Sequence, residues 1–209
     1  SNSTTPTNGF DVPASCGGTP PPPPPPPPGD CPAGSIDFNA FAVESYADQD
    51  VAGNSVAADG GQELVLTNNT WRRSVASFTV TPTTVIEFDF ASSSQGEIHA
   101  IGFDEDQTLN NDPRHFQFWG TQNWTGTGRV GVNPPTYSGN GAFQSYQIAV
   151  GESYTGSNMR LVFTNDNDAG SGNESRFRCV RVIDDAPPPP PPGSCTVEQD
   201  FESGSAGCT

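Results

Sequence analysis

The densest chemistry in the chain lies in residues 96–124, GEIHAIGFDEDQTLNNDPRHFQFWGTQNW. A strand-like run delivers His99 and then Asp104 and Asp106 into a polar loop. A second run returns with Phe116, Phe118, Trp119 and Trp124. Indole faces stack on the C–H faces of sugar rings, and nearby amides, carboxylates and guanidinium groups pair with sugar hydroxyls. Trp71, Trp119 and Trp124 are therefore candidate stacking platforms. Arg72, Arg73, His99, Arg114 and Asn123 are candidate hydrogen-bonding partners. Strand alternation sets Trp119 away from Phe118, and Trp124 sits among turn residues, so both are expected outside the core. Phe88, Phe90, Phe103, Phe116 and Phe118 are expected inside it, because a packed sheet requires inward-facing Phe.

Two acidic clusters have the ligand types of a Ca2+ site, which takes about six to eight oxygens. One is Asp104-Glu105-Asp106 with Asn110, Asn111 and Asp112 following; the other is Asn165-Asp166-Asn167-Asp168. Neither has the EF-hand spacing. Asp104, Asp106, Asp166 and Asp168 are the candidate metal ligands. A third grouping would join Glu44, Asp48 or Asp50, and Asp184. The competing structural reading is that these are solvated turns of an acidic chain, and that the Arg residues pair with its many carboxylates.

Catalytic signatures are scarce. No Ser/His/Asp grouping, nucleophile elbow, phosphate loop or H-E-x-x-H motif occurs. A paired-carboxylate glycosidase would have to use Glu97 and Asp104, and such pairs arise by chance among 24 acids. The expectation is a segment without catalysis of its own.

The 209 residues carry a net charge of −16, and all eight cations are Arg. Nothing in that balance offsets phosphate repulsion, which excludes nucleic acid and anionic membrane surfaces as expected partners. No apolar run approaches the roughly 18 residues of a membrane span.

Two uninterrupted proline runs, 20–28 and 187–192, frame the region that must position these side chains. Proline has no N–H for a helix or a central strand, so each run is read as a polyproline II spacer; nine residues extend about 28 Å. The predicted organisation is residues 1–18 as the tail of an upstream module, 19–30 and 186–194 as linkers, 31–185 as one domain, and 195–209 as the start of a further module. Ser1 is not a natural start, so the chain is read as a piece of a longer protein. The spacers imply partner modules on the same polypeptide, or self-assembly of repeated units.

Within 31–185, candidate strands are 63–67, 74–80, 85–90, 97–103, 115–120, 145–150, 160–164 and 177–183. They are short, aromatic and β-branched, with period-two alternation and turn clusters between them. No segment holds a helical period. Eight such strands predict an all-β fold, a two-sheet antiparallel β-sandwich of jelly-roll type flanked by polyproline II linkers. Cys31 and Cys179 lie at opposite ends of the block, and a bond between them would tie its first and last segments. Cys195 and Cys208 would close a small loop, leaving Cys16 to pair upstream. Spacing does not fix connectivity, but this placement favours an oxidising, extracellular compartment.

The runs IEFDFASSSQGEIHAIGFDEDQ, FQFWGTQNW and LVFTNDNDAG…ESRFRCVRV, with DGG…LTNNTWRR upstream, carry a resemblance. Together they resemble non-catalytic carbohydrate-binding modules attached to secreted bacterial enzymes. The likeness covers residues 34–184. It implies a sandwich that targets a tethered activity to polysaccharide, with the Asp residues of GEIHAIGFDED, Trp71, Arg72 and Trp124 as metal or ligand contacts. Modules of this look also accompany secreted peptidases. A repeated bead of an extracellular filament or adhesin is the structural alternative.

Overall fold

The computed structural model describes residues 31–109, 114–122, 124, 134–168 and 170–184, with the backbone of 198–199 and 206–207. The proline linkers, Cys16, Cys195, Cys208, Asn110, Asn111, Asp112 and Asn123 lie outside the described residues. Two compact units are distinguished, Pro22–Pro189 and Ser1–Pro21 with Pro190–Thr209. In the second, Glu198–Gln199 pairs antiparallel with Ala206–Gly207.

The larger unit is built from ten strands: β1 Val43–Ser45, β2 Asn54–Ala58, β3 Glu63–Thr67, β4 Thr70–Val80, β5 Val85–Ala91, β6 Ile98–Asp104, β7 His115–Trp119, β8 Gln144–Ile148, β9 Gly156–Asp166 and β10 Glu174–Ile183. The first sheet has the order β1-β4-β9-β6-β7 and the second β2-β3-β10-β5-β8. Every pairing is antiparallel. The fold is a β-sandwich. From β3 to β10 the chain changes sheet at every connection except the β6–β7 one. Among the described residues there is no α-helix, and no helix long and apolar enough to cross a membrane.

All eight predicted strands form, within a few residues of their expected ends. β1 and β2 are additions. Both are edge strands with no fully buried residue, so neither carries the apolar alternation that marks the others.

Alternation decides what each strand buries. In β5, Ile86, Phe88 and Phe90 enter the core, where they meet Phe118, Phe163 and Phe177 among others. The core is aromatic throughout: Phe90 sits 4.6 Å from Phe118 and 5.3 Å from Phe177 in edge-to-face contacts, the arrangement ring quadrupoles favour. Glu87 and Asp89 point outward and meet arginines of β10. Arg181 Nε donates to Glu87 at 2.7 Å, and Arg178 pairs with Asp89 at 3.0 Å. The Arg178–Asp89 pair is buried. Ser145 Oγ donates to Asp89 at 2.7 Å, and the Arg178 guanidinium lies 3.9 Å from the Phe143 ring centroid. Those contacts supply the partners that a desolvated charge needs.

Cys31 is disulfide-bonded to Cys179 in β10, their Cα atoms 5.0 Å apart across a sequence separation of 148. Ile36 N donates to Val180 O, so the segment after Cys31 runs beside β10. Cys179 has φ of 54° at a register shift between Arg178 and Arg181. The bulge turns this side chain toward the incoming segment.

Candidate functional site

Register places one acidic group. β6 and β9 pair with Ile98 opposite Asp166, so Glu97, just before β6, meets the end of β9. Glu97 N donates to Asp166 O at 2.7 Å. Ligand oxygens of Glu97, Asp166 and Asp168 lie within 4.8 Å of one another. Trp71 Nε1 donates to Asp166 Oδ1 at 2.9 Å, Gln122 Nε2 to Glu97 Oε1 at 2.8 Å, and Asp168 N to Glu97 Oε2 at 2.5 Å. Among the described residues no ion pair reaches the trio. Asp166 is only 5% exposed. Burial raises its pKa to about 6, helped by the charges of Asp168 and Glu97 and opposed by the Trp71 bond.

An asparagine-rich corner fixes the loops that carry these groups. Asn165 Nδ2 and Asn173 Nδ2 both donate to Asn68 O, at 2.7 and 3.3 Å, and Asn167 Nδ2 donates to Asn173 Oδ1 at 3.1 Å. Asn68 adopts φ of 58° to present its carbonyl there, a conformation Asn tolerates better than most residues.

The other metal candidates do not converge on this point. Asp104 ends β6, about 20 Å along the strand from Ile98. It caps its own loop, accepting Glu105 N at 2.6 Å and Asp106 N at 3.2 Å. Its other oxygen accepts the Tyr46 hydroxyl, whose pKa is pushed up by burial and by that bond. Asp106 Oδ1 accepts Thr108 N at 2.6 Å. The distance along β6 also separates Glu97 from Asp104, far beyond the spacing at which two carboxylates flank a glycosidic bond. Glu44 and Asp50 are taken up by arginines, and Asp184 accepts Thr84 Oγ1 at 2.8 Å, so the third grouping does not assemble either.

The arginines are structural partners. Arg72 pairs with Asp50 at 2.7 Å, Arg73 with Glu44 at 2.7 Å, and Arg114 with Glu105 at 3.1 Å.

Trp71 and His99, both candidate ligand contacts, are buried. Trp71 is 2% exposed, inside a small cluster on the outer face of the first sheet with Tyr46 and Val162. Tyr46 stacks on it at 6.1 Å, and Trp124, half-buried, meets it edge-on at 5.5 Å. The indole faces outward, as alternation requires, but the residues that cover it come from distant parts of the chain.

His99 points into the sandwich. Gly96 N donates to its Nε2 at 2.7 Å, so Nδ1 carries the proton and donates to Ser175 Oγ at 2.7 Å. Ser175 Oγ in turn donates to Asn165 Oδ1 at 2.9 Å. Burial draws the imidazole pKa down to about 3. An unfolded histidine titrates near 6.5, so below that pH the unfolded chain binds a proton that the folded one refuses. The stability is present above about pH 6.5 and is lost as pH falls toward 3. Between pH 7 and pH 5 the loss is about 2 kcal/mol. Asp166 has the opposite sign, its raised pKa favouring the fold at low pH, so the measurement is a difference. Urea unfolding at both pH values should show the wild type losing about 2 kcal/mol more than His99→Gln; equal losses would refute the assignment.

Trp119 also departs from simple alternation. His99 pairs with Trp119 and Ala100 with Gln117, so Phe118 and Trp119 together oppose one residue. Two residues at such a bulge lean to the same side. Trp119 therefore packs half-buried against the core, 4.7 Å from His99 and 5.1 Å from Tyr137.

The turn after Trp119 is fastened to the same loop as the acidic trio. Thr121 N donates to Gly96 O at 3.1 Å and Gln122 N to Glu97 O at 3.0 Å. At Gly120, φ is 135° and a Cβ would lie 2.1 Å from Glu97 O, so only glycine fits. Thr121 and Gln122 are exposed on this ledge. Neither Glu97 as a partner of Asp166 nor the Gln122 ledge was visible in the sequence; the nearest signal is the polar run 120–123 after an aromatic strand. No protein-family model matches the chain, and no curated protein matches it.

Proposed function

We propose that residues 31–185 form a non-catalytic carbohydrate-binding module of a secreted multidomain protein. The observation that carries this reading is the ledge of residues 119–122. It carries a half-buried indole, Trp119, and, three residues on, the exposed side chain of Gln122, with the backbone pinned to Gly96 and Glu97. A sugar ring takes one hydrophobic face and several hydroxyl partners, and groups already held in place bind it at low entropic cost. The disulfide suits an oxidising compartment, and the motif resemblance points to the same class of ligand. Tethered through its linkers, the module would raise the local concentration of a neighbouring domain on an insoluble glycan.

Pull-down on a panel of insoluble polysaccharides tests this. Wild type should be retained on at least one. Trp119→Ala and Gln122→Ala should each weaken retention more than about tenfold. Gln122 is exposed, so its substitution leaves the core intact and separates lost contact from lost fold. Absence of retention across the panel, or retention unchanged in both variants, would overturn the proposal.

A further inference from the structure

We propose that Glu97, Asp166 and Asp168, with the side-chain carboxamide of Asn69, form a binding site for one Ca2+ ion. The inference stands apart from glycan binding. Three carboxylates, from the loop before β6, the end of β9 and the loop after it, present oxygens within 4.8 Å of one another, a span that one Ca2+ bridges with bonds of about 2.3–2.6 Å. The second observation is Asn69. It is 4% exposed, and its carboxamide faces the trio, with Nδ2 2.5 Å from Asp168 Oδ1. Its Oδ1 is buried and has no partner. A buried oxygen left without a donor is destabilising. Rotation about the last torsion brings that oxygen to the carboxylates as a fourth donor, an arrangement that is repulsive without a cation between them and favourable with one.

The donor set is all oxygen, with no imidazole or thiolate, which selects a hard cation over Zn2+ or Cu2+. Among the described residues the arginine ion pairs lie elsewhere, with Asp50, Glu44, Glu105, Glu63, Asp89 and Glu87 as partners. Among the described residues, like charges thus crowd together at the trio and no ion pair joins them. The ion would join the loop before β6 to the loop after β9, and through Asn69 to the β3–β4 turn.

Terbium is the probe. Trp71 Nε1 lies 2.9 Å from Asp166 Oδ1, so an ion at the trio has an indole beside it. In the full 209-residue chain, freed of divalent ions with chelator, Tb3+ should show tryptophan-sensitised emission. Ca2+ should displace it at far lower concentration than Mg2+, and Ca2+ alone should raise Tm by several degrees. Asp168→Asn and Glu97→Gln should each weaken Tb3+ affinity by more than about tenfold, while Asp106→Asn, in the other acidic loop, should leave it unchanged. Asp168 is exposed, so the folded state survives its substitution. Absence of both sensitised emission and a Ca2+-induced rise in Tm would overturn the site. So would unchanged affinity in Asp168→Asn, or loss of affinity in Asp106→Asn.

Discussion

Replacing Cys31 and Cys179 together by alanine is expected to lower the unfolding free energy by about 5 kcal/mol. The bond closes a loop with a sequence separation of 148. In the chain-entropy account, the cost of leaving that loop open in the unfolded ensemble grows with the logarithm of its length. A domain has only about 5–15 kcal/mol of stability in total, so the double variant should lose at least about a third of it. Urea unfolding of the oxidised protein and of the double variant measures the difference. The wild type under reductant should approach the variant. A loss under about 1 kcal/mol would mean that the ten strands hold the segment after Cys31 without the cross-link.

Trp71→Ala should cost about 4 kcal/mol. The side chain is among the largest fully enclosed ones, and its removal opens a cavity between Tyr46, Val162 and Trp124. It also takes the indole N–H from Asp166, leaving a buried acceptor without that donor. Trp71→Phe separates the two effects. It keeps an aromatic ring against Tyr46 and loses only the hydrogen bond and part of the volume, so about half the loss should remain. Denaturant titration of both variants measures this. Poor polysaccharide retention by Trp71→Ala would then report a weakened fold, which is why the binding test rests on Trp119 and Gln122. If Trp71→Ala is as stable as wild type, the cluster on the outer face of the first sheet is not packed as described.

Much of this fold was legible in the sequence because its strands obey one rule. Wherever a strand buries one face against the other sheet, as β5 does with Ile86, Phe88 and Phe90, period-two alternation appears. The rule fails where its premise does. β1 and β2 are edge strands, and VES and NSVAA carry no apolar stripe to read. It fails again where a sheet's outer face is covered by another part of the chain. Trp71 alternates outward, yet Tyr46 and Trp124 close over it, and no local pattern encodes their arrival. Trp119 shows a third kind of failure, because one inserted residue at the bulge opposite His99 reverses the expected side. The site divides in the same way. Asp166 and Asp168 stand out as a pair two residues apart, while Glu97 joins them only through the register of β6 on β9, and Asn69 only through the turn that the asparagine corner holds.

The cross-link from Cys31 to β10 also decides how the unit bears tension. A pull applied at residue 31 and at residue 184 passes through the sulfur–sulfur bond and the short run 179–184. Nearly all of the strands lie in the loop closed by that bond and carry no load. Asp184 is itself fastened by Thr83 and Thr84 in the β4–β5 turn, which gives the outgoing end a second anchor. Under force the sandwich is a closed loop hung on the chain, so tension between residues 31 and 184 passes without drawing the sheets apart.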